Sequence, residues 1–204
     1  MNWLTGPVQL RSAGPGAVLA EVGDAAAALA LATWARAAGV AAVEVVPAAR
    51  SVLFDGVADL RALTAALDAW APSEEPPTGP LVEIAVTYDG ADLVDVAAAW
   101  DTDEAGVVQR HTTVEYVASF CGFAPGFAYL AGLPDELAVP RLASPRPQVP
   151  AGSVALAGTW CGVYPSASPG GWRLLGSSDA ALWDPTRERP ALLAPGTRVR
   201  FVPR

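Results

Sequence analysis

The sequence contains no lysine, because all thirteen of its basic residues are arginine. This excludes a lysine Schiff base and the phosphate-binding loop of nucleotide-binding proteins, which requires a lysine. One histidine and two cysteines are too few for a histidine- or cysteine-rich zinc site, and we predict no metal site. The GxSxG and GxGxxG turns are also missing. A self-contained hydrolase or nucleotide-binding enzyme is therefore poorly supported.

Positive charge and long apolar runs are also scarce. The net charge of -8 at pH 7 argues against binding to nucleic acid or to an anionic membrane surface. The longest nearly apolar run, residues 25–32, is too short to cross a bilayer, and the amino terminus does not resemble a signal peptide. We predict a cytoplasmic protein, in which Cys121 and Cys161 are expected as thiols rather than as a disulfide.

The amino-terminal part of the chain mixes strand and helix patterns. An apolar strand is predicted over residues 17–22. Asp24 is a good N-cap for the alanine-rich helix that follows, and Gly39 is expected to end that helix. Two further strands are predicted over residues 43–47 and 52–54.

A second amphipathic helix follows Asp59, because large apolar residues recur at helical spacing: Leu60, Leu63, Leu67 and Trp70. The resulting β-α-β-β-α order predicts a two-layer α/β sandwich. The proline-rich, acidic residues 71–80 are typical of a domain boundary. We therefore predict an α/β sandwich domain over residues 1–80 and a second domain over residues 81–204.

The second domain begins with alternating apolar and polar residues over 82–88, which predicts a half-buried strand. Asp92 and Thr102 are expected to cap two short helices, and the second of these ends near His111. Alternation resumes over residues 114–120.

After residue 120 the pattern becomes that of an all-β protein. Twelve of the nineteen prolines lie there, and Gly/Pro turns separate short apolar runs such as residues 154–157, 172–175 and 199–202. A closed or nearly closed barrel suits this pattern because it leaves few exposed strand edges. The predicted fold class is therefore α+β, a two-layer sandwich followed by a β-barrel.

Three groups of residues are candidates for chemistry. His111 has two interpretations: a surface or helix-capping residue, or an acid/base group. Arg141 and Arg146 lie on a proline-stiffened segment and suit either a bound carboxylate or phosphate, or simple exposure to solvent.

The third group is the segment YPSASPGGW, which starts at Tyr164. Adjacent Gly170 and Gly171 permit positive φ angles, so that their N–H groups can converge on an anion as a nest. Tyr164 and Trp172 would wall such a site, and Ser166 or Ser168 would donate to it. The alternative interpretation is a tight hairpin with structural aromatics.

Four segments carry a resemblance to a known family: HTTVEY, GFAPGFAYL, PRLASPRPQVPAGSVALAG and GVYPSASPGGW, which fall in this order within residues 111–172. Together they resemble the B subunit of the bacterial ATP-dependent 5-oxoprolinase, also called allophanate hydrolase subunit 1. The same family includes an inhibitor of a sporulation histidine kinase and corresponds to part of the carboxyltransferase region of urea carboxylase.

The resemblance implies that the second domain is a cyclophilin-like antiparallel β-barrel and that the chain is not active alone. The implied partners are a second cyclophilin-like protein, the C subunit, and a third protein, the A subunit. Together they would convert 5-oxo-L-proline to L-glutamate, with ATP and Mg²⁺ used at the level of the complex.

The resemblance also implies a set of site residues. Those implied as catalytic are His111, Arg141 and Arg146. Those implied as substrate-binding are Phe123, Pro125, Gly126, Ser153, Tyr164, Ser168, Gly170, Gly171 and Trp172. The sequence departs from the family pattern at Trp160-Cys161, where relatives usually have Gln-Thr, and at Ser177-Ser178, where they often have Arg-Thr.

Two other functions stay open on the sequence. One is a regulatory inhibitor of a histidine kinase, for which the acidic character suits a basic partner surface. The other is a carboxyltransferase or allophanate-hydrolase subunit that acts on a urea-derived amide. The departure at Trp160 is relevant to the choice among these functions. An indole in place of an amide changes both the volume of the side chain and the hydrogen bonds that it can make.

Overall fold

The structure is a computed structural model that describes residues 8–71 and 79–204. It is a mixed α and β protein, as predicted, and divides into two compact units, Met1–Pro76 and Pro77–Arg204. The predicted boundary over residues 71–80 lies almost entirely outside the described residues.

The first unit contains a four-stranded antiparallel sheet with the order β1-β2-β4-β3. Its strands are β1 (Gln9–Gly14), β2 (Ala17–Glu21), β3 (Glu44–Pro47) and β4 (Ser51–Asp55). The sequence does not predict β1. This strand lies at an edge of the sheet and is largely exposed, so it lacks the apolar alternation that marks a strand.

Two helices complete the first unit: α1 (Ala25–Ala37) and α2 (Leu60–Asp68). Asp24 caps α1 by accepting from the Ala27 N–H, and Asp59 caps α2 in the same way. Gly39 has a φ of 65° just after the end of α1, which a glycine adopts without strain. Side chains of both helices pack with the strands into one core, which includes Ala28, Leu31, Leu63, Leu67, Val18, Val52 and Phe54.

The described part of the second unit, residues 79–204, contains nine strands, two α-helices and one short 3-10 helix, Asp135–Leu137. The strands are β5 (Leu81–Val86), β6 (Tyr116–Cys121), β7 (Ala128–Ala131), β8 (Arg146–Val149), β9 (Ser153–Ala157), β10 (Trp160–Val163), β11 (Ser168–Gly170), β12 (Arg173–Ser177) and β13 (Arg198–Pro203). The helices are α3 (Leu93–Ala99) and α4 (Glu104–Thr113).

Seven of these strands form one sheet with the order β12-β9-β10-β7-β6-β13-β5. Thr87, just after β5, pairs with Ser177 at the end of β12, and this bridge brings the two ends of the sheet together. The sheet is therefore nearly closed into a barrel, as predicted. Strands β8 and β11 form a separate two-stranded ribbon.

One strand pair differs from the antiparallel arrangement expected of the barrel. Strand β13 runs parallel to β5, with Arg198 opposite Leu81 and Pro203 opposite Val86. The two strands are far apart in sequence, so no tight turn forces them to run in opposite directions. Sequence patterning alone does not reveal the direction of such a distant pair.

One of the two α-helices of the second unit begins one residue later than predicted. Asp103, rather than Thr102, caps α4 by accepting from the Gly106 N–H. Asp92 precedes α3 but makes no capping hydrogen bond with its side chain. His111 lies within the last turn of α4 and is fully buried.

Among the residues that the structure describes, no helix is long and apolar enough to span a membrane. Cys121 and Cys161 are both free thiols, as expected.

Candidate functional site

The candidate site is a cavity of about 350 Å³ in the second unit. Six aromatic side chains line it: Phe123, Phe127, Tyr129, Trp160, Tyr164 and Trp172. Arg141 is the one charged residue of the described lining, which is completed by Ala157, Gly158, Pro169 and Gly170. Its volume is within the range of small-molecule sites, which are typically apolar with a few convergent polar groups.

Two consecutive turns between β6 and β7 form one wall of the cavity. The Ala124 N–H donates to the Gly122 carbonyl, which makes a three-residue γ-turn centred on Phe123. The Phe127 N–H then donates to the Ala124 carbonyl. Pro125 and Gly126, the latter with a φ of 86°, occupy the central positions that these residue types favour in a type II turn.

The γ-turn holds Phe123 in a strained conformation. Its φ of 71° is rare for a bulky side chain. The residue is nevertheless 60% exposed, and its ring makes edge-to-face contacts with Phe127 and Tyr164 at centroid distances of 5.3 and 6.1 Å. Strain of this kind persists where the surrounding structure enforces it and often occurs at functional sites.

Phe127 is the centre of the aromatic lining and is itself buried. Its ring meets Tyr129, Tyr164 and Trp172 edge to face, with centroids 5.1, 5.5 and 5.4 Å away. This geometry is favourable for aromatic pairs and fixes each ring relative to the others. The walls of the cavity are therefore preformed.

Tyr164 brings a hydroxyl group to the polar end of the cavity. Burial raises its pKa, while the positive charge of Arg141 is the largest influence in the opposite direction. The Trp172 N–H and Arg146 also lower this pKa. Arg141 and the Trp172 N–H therefore act on the Tyr164 hydroxyl from nearby, and because Arg141 has no ion-pair partner among the described residues, this end of the cavity suits a negatively charged group.

The predicted nest at Gly170 and Gly171 is not formed. Neither residue has a positive φ, and a nest requires one. Gly170 is instead part of β11, opposite Arg146. A side chain there would overlap the Tyr164 hydroxyl, so this glycine is needed for the close approach of the tyrosine.

The two predicted arginines have different surroundings. Arg141 is exposed and has no ion-pair partner among the described residues. Arg146 does not line the cavity, and its Nη2 donates to Asp92 Oδ1 at 2.8 Å. The Nη1 atom of Arg146 is buried and has no partner within the described part of the protein.

Asp92 is a residue of this region that the sequence does not reveal. It is only 3% exposed, and its Oδ2 accepts from the Leu174 N–H at 2.7 Å. Asp92 is the N-cap residue of α3, as predicted, but its side chain makes no capping hydrogen bond, because the carboxylate is turned towards β12 and Arg146 instead. An aspartate that precedes a helix pattern indicates a cap, and no local signal in the sequence identifies its distant partners.

His111 lies away from the cavity, inside the barrel core. Its Nδ1 is 2.7 Å from the Tyr88 hydroxyl and its Nε2 is 3.4 Å from Cys161 Sγ. Because a neutral imidazole has one donor and one acceptor nitrogen, it can bond to both neighbours. Burial lowers its pKa to about 3, so it is neutral at physiological pH. Its surroundings favour a structural role, and its catalytic role stays a prediction.

The remaining predicted residues lie around the cavity rather than in its lining. Ser153 is buried at the start of β9, where its carbonyl accepts from the Tyr164 N–H. Ser168 has a buried Oγ without a partner among the described residues. Pro125 and Gly126 form the turn that presents Phe123, and Gly171 joins β11 to Trp172. The structure thus brings five of the predicted residues into the lining: Phe123, Arg141, Tyr164, Gly170 and Trp172.

The two departures from the family pattern have different positions. Trp160 lines the cavity, and its ring packs edge to face against Tyr129. Ser177 lies outside the lining, where its hydroxyl donates to Asp89. Within the described residues, no group of three or more histidine, cysteine, aspartate or glutamate side chains is arranged to hold a metal ion.

Comparison with known proteins places the chain among named relatives. The family model described as carboxyltransferase domain, subdomain C and D, matches residues 8–193. The 5-oxoprolinase B subunit of Escherichia coli O157:H7 is 51% identical over 138 residues, which cover 66% of this chain and 63% of that protein. The 5-oxoprolinase B subunit of Bacillus subtilis (strain 168) is 46% identical over 125 residues, which cover 60% and 52%. The matched part therefore spans between half and two thirds of these curated relatives.

Solved structures show the same fold. A structure described as TTHA0988 is 36% identical, with a TM-score of 0.77, and the match covers 93% of this chain and 40% of that one. Protein PH0987 from Pyrococcus horikoshii is 32% identical, with a TM-score of 0.59 and coverage of 96% and 97%. The Kluyveromyces lactis urea carboxylase, at 20% identity and a TM-score of 0.70, covers 97% of this chain with 22% of its own length and shows the fold alone.

Proposed function

The chain belongs to the family of carboxyltransferase domains, subdomain C and D, and we propose that it is a subunit of a 5-oxoprolinase system. Three relatives named as the B subunit of 5-oxoprolinase, 44% to 51% identical, support this proposal. In such a system the lactam ring of 5-oxo-L-proline is opened to give L-glutamate. The observation that carries the proposal is an aromatic cavity with one arginine at its polar end that has no ion-pair partner among the described residues.

This cavity is proposed to bind 5-oxo-L-proline. The substrate combines a small, uncharged ring with one carboxylate, so it requires both apolar walls and a cation. The aromatic lining supplies the walls, and Arg141 supplies a planar donor group for the carboxylate. The Tyr164 hydroxyl lies at the same end of the cavity and offers a further hydrogen bond.

ATP and Mg²⁺ do not fit the described lining of this cavity. A triphosphate requires several cationic or backbone donors, whereas the lining offers one arginine. Mg²⁺ prefers carboxylate oxygens, and no carboxylate belongs to the described lining. We therefore propose that ATP and Mg²⁺ bind elsewhere in the complex, and we assign no step through them to this chain.

The proposed partners are a second cyclophilin-like protein, the C subunit, and a third protein, the A subunit. Support comes from the rim of the cavity, where Phe123 is 60% exposed. Trp183, 44% exposed, packs against Gly126 of the neighbouring turn. Exposed aromatic residues beside a pocket are typical of surfaces that a partner covers. The cytoplasmic location stays a prediction.

The test is an assay of ATP-dependent glutamate release from 5-oxo-L-proline by the chain alone and with its co-encoded partners. We expect activity only in the assembled complex. There, Arg141→Gln is expected to raise the KM for 5-oxo-L-proline by about tenfold or more, because a charged hydrogen bond to the carboxylate is lost.

Arg189→Gln is the matched control. Arg189 is exposed, lies outside the cavity lining and has no ion-pair partner among the described residues. It is expected to leave KM unchanged. Activity of the isolated chain would contradict the subunit role, and an unchanged KM in Arg141→Gln would contradict the assignment of the carboxylate site.

A further inference from the structure

We propose that Asp92 is the positioning residue for the segment that carries Arg141. This segment, residues 140–146, contains no regular secondary structure before Arg146, the first residue of β8. It therefore depends on contacts with other elements for its conformation. The proposal rests on the proposed function only in that the Arg141 side chain is taken to meet the substrate.

The carboxyl-terminal end of the segment is held directly by Asp92. The Arg146 Nη2 atom donates to Asp92 Oδ1 at 2.8 Å, and the carboxylate is almost fully buried. A buried ion pair with good geometry is costly to break, because the remaining partner loses its compensating charge. Asp92 therefore fixes the position of Arg146 and, with it, the start of β8.

The amino-terminal end is held by Arg173. Its Nε donates to the Pro140 carbonyl at 3.2 Å, directly before Arg141 in the chain. The same guanidinium has its Nη1 atom 3.8 Å from Asp92 Oδ1 and 2.9 Å from Asp95 Oδ2. Arg173 thus links Asp92 and Asp95, at the start of α3, to the start of the segment.

The middle of the segment is tied to the residues just before β12, the strand that contains Arg173. The Leu142 N–H donates to the Gly171 carbonyl at 2.7 Å. Gly171 lies three residues before Leu174, whose N–H donates to Asp92 Oδ2 at 2.7 Å. The buried Asp92 carboxylate therefore positions two elements. It holds β12 through the Leu174 N–H and the end of the segment through Arg146.

This arrangement leaves Arg141 without a counter-charge. Asp92 neutralises Arg146, and Asp92 and Asp95 together neutralise Arg173, whereas no carboxylate of the described residues pairs with Arg141. Loss of the Asp92 charge would free Arg146 and loosen the segment. The Arg141 guanidinium would then sample more orientations, and a correctly placed group loses efficiency when it is even slightly displaced.

The test compares Asp92→Asn with Asp101→Asn, a matched control in the same unit that is exposed and has no ion-pair partner among the described residues. In the assembled complex, Asp92→Asn is expected to raise the KM for 5-oxo-L-proline about tenfold with kcat changed less than about twofold. Asp101→Asn is expected to change KM less than about twofold. Because Asp92 acts through Arg146, the double variant Asp92→Asn/Arg146→Gln is expected to be no worse than Asp92→Asn alone.

A second readout does not depend on activity. In the full chain labelled with ¹⁵N, the backbone heteronuclear NOE of Leu142, Ala143 and Ser144 reports the mobility of the segment on the picosecond to nanosecond timescale. We expect Asp92→Asn to lower these values and Asp101→Asn to leave them unchanged. Arg146→Gln is expected to lower them as well, and it serves in place of Asp92→Asn if that variant does not fold.

The outcomes separate the two proposals. A folded Asp92→Asn or Arg146→Gln variant with wild-type NOE values overturns the positioning role, whatever the activity. An unchanged KM in a folded Asp92→Asn complex also overturns it. Lowered NOE values together with a wild-type complex that does not act on 5-oxo-L-proline support the positioning role and reject the proposed function.

Discussion

His111 illustrates how burial decides the chemistry of a single residue. It is enclosed by groups that are uncharged at neutral pH: Tyr88, Tyr116 and Cys161, whose pKa values burial raises, and the Phe201 ring 4.6 Å away. No carboxylate among the described residues contacts it to favour the imidazolium form. A neutral histidine in this position contributes hydrogen bonds and packing.

The first prediction concerns the pH dependence of stability. The pKa of His111 is about 3 in the folded protein, against 6.5 for an unperturbed histidine, so the unfolded chain binds more protons between these values. Stability is therefore fully present above pH 6.5 and is lost as pH falls towards 3. Between pH 7 and pH 4 we expect His111 to contribute a loss of about 3 kcal/mol in the free energy of unfolding.

Urea unfolding at a series of pH values measures this loss, with His111→Asn as the reference that cannot titrate. Other acidic groups titrate equally in both proteins, so the difference between the two curves isolates His111. Parallel curves from pH 7 to pH 4 would show that the histidine is not held neutral by the fold.

Residues of the candidate site that carry a local signal were predictable from the sequence. Phe123, Tyr164 and Trp172 stand beside Gly/Pro turns, and such turns place aromatics at bent backbone. The role of Asp92 was not predictable, because its partners Arg146 and Leu174 are 54 and 82 residues away. Contacts over such separations depend on the topology, which local patterns do not encode.

At the scale of elements, the β8–β11 ribbon shows how a short strand shapes the cavity. Gly170 faces the Tyr164 hydroxyl across a distance that admits no side chain. Gly171 has room for a side chain, since a Cβ added there would lie in ordinary van der Waals contact, 3.6 Å from its nearest neighbouring atom. The two adjacent glycines therefore have different roles, although the sequence makes them look alike.

The second prediction uses this pair. Gly170→Ala is expected to displace the Tyr164 ring from the cavity, because neither residue has room to move without disturbing β11. Loss of 5-oxo-L-proline binding by about tenfold or more and a fall in the melting temperature should follow. Isothermal titration calorimetry and thermal unfolding measure the two effects.

Gly171→Ala is the matched control, since neither glycine has a positive φ and only the contacts differ. It is expected to bind and unfold like the wild type. Equal effects of the two substitutions would mean that the close approach of Tyr164 to Gly170 does not shape the cavity.

Elements were predictable where caps and periodicity agree. Helices α1 and α2 follow from Asp24 and Asp59 together with apolar residues at helical spacing. Strand β1 was not predictable, because an exposed edge strand is stabilised by backbone pairing with β2 and not by an apolar face. The cap of α4 was placed one residue early, at Thr102 instead of Asp103.

At the scale of the molecule, the barrel class was predictable because short apolar runs and frequent turns suit a nearly closed sheet. The order of the strands in the barrel was not predictable from the sequence. The parallel pairing of β5 and β13 joins residues more than a hundred positions apart, and only the closed sheet explains it. A long connection permits two strands to pair in either direction. The direction is determined by how all strands of the barrel fit together.

Each compact unit has its own hydrophobic core. The buried cluster of the first unit includes Phe54 and Leu31, whereas that of the barrel includes Tyr116, Phe201 and Leu156. The aromatic cluster beneath the cavity, around Phe127, also belongs wholly to the second unit. A unit with a core of its own is able in principle to fold alone.

The final prediction is that residues 77–204 fold without the first unit and retain the cavity. Every described residue of the cavity lining and of its cluster lies within this range, as do Asp92, Arg146 and Arg173. We expect this fragment to show cooperative thermal unfolding and a near-UV circular dichroism spectrum with the bands of an ordered aromatic cluster. The same fragment carrying Gly170→Ala is the control and should lose part of this signal. A fragment with strand structure but no near-UV signal would show that the aromatic cavity requires residues outside the second unit.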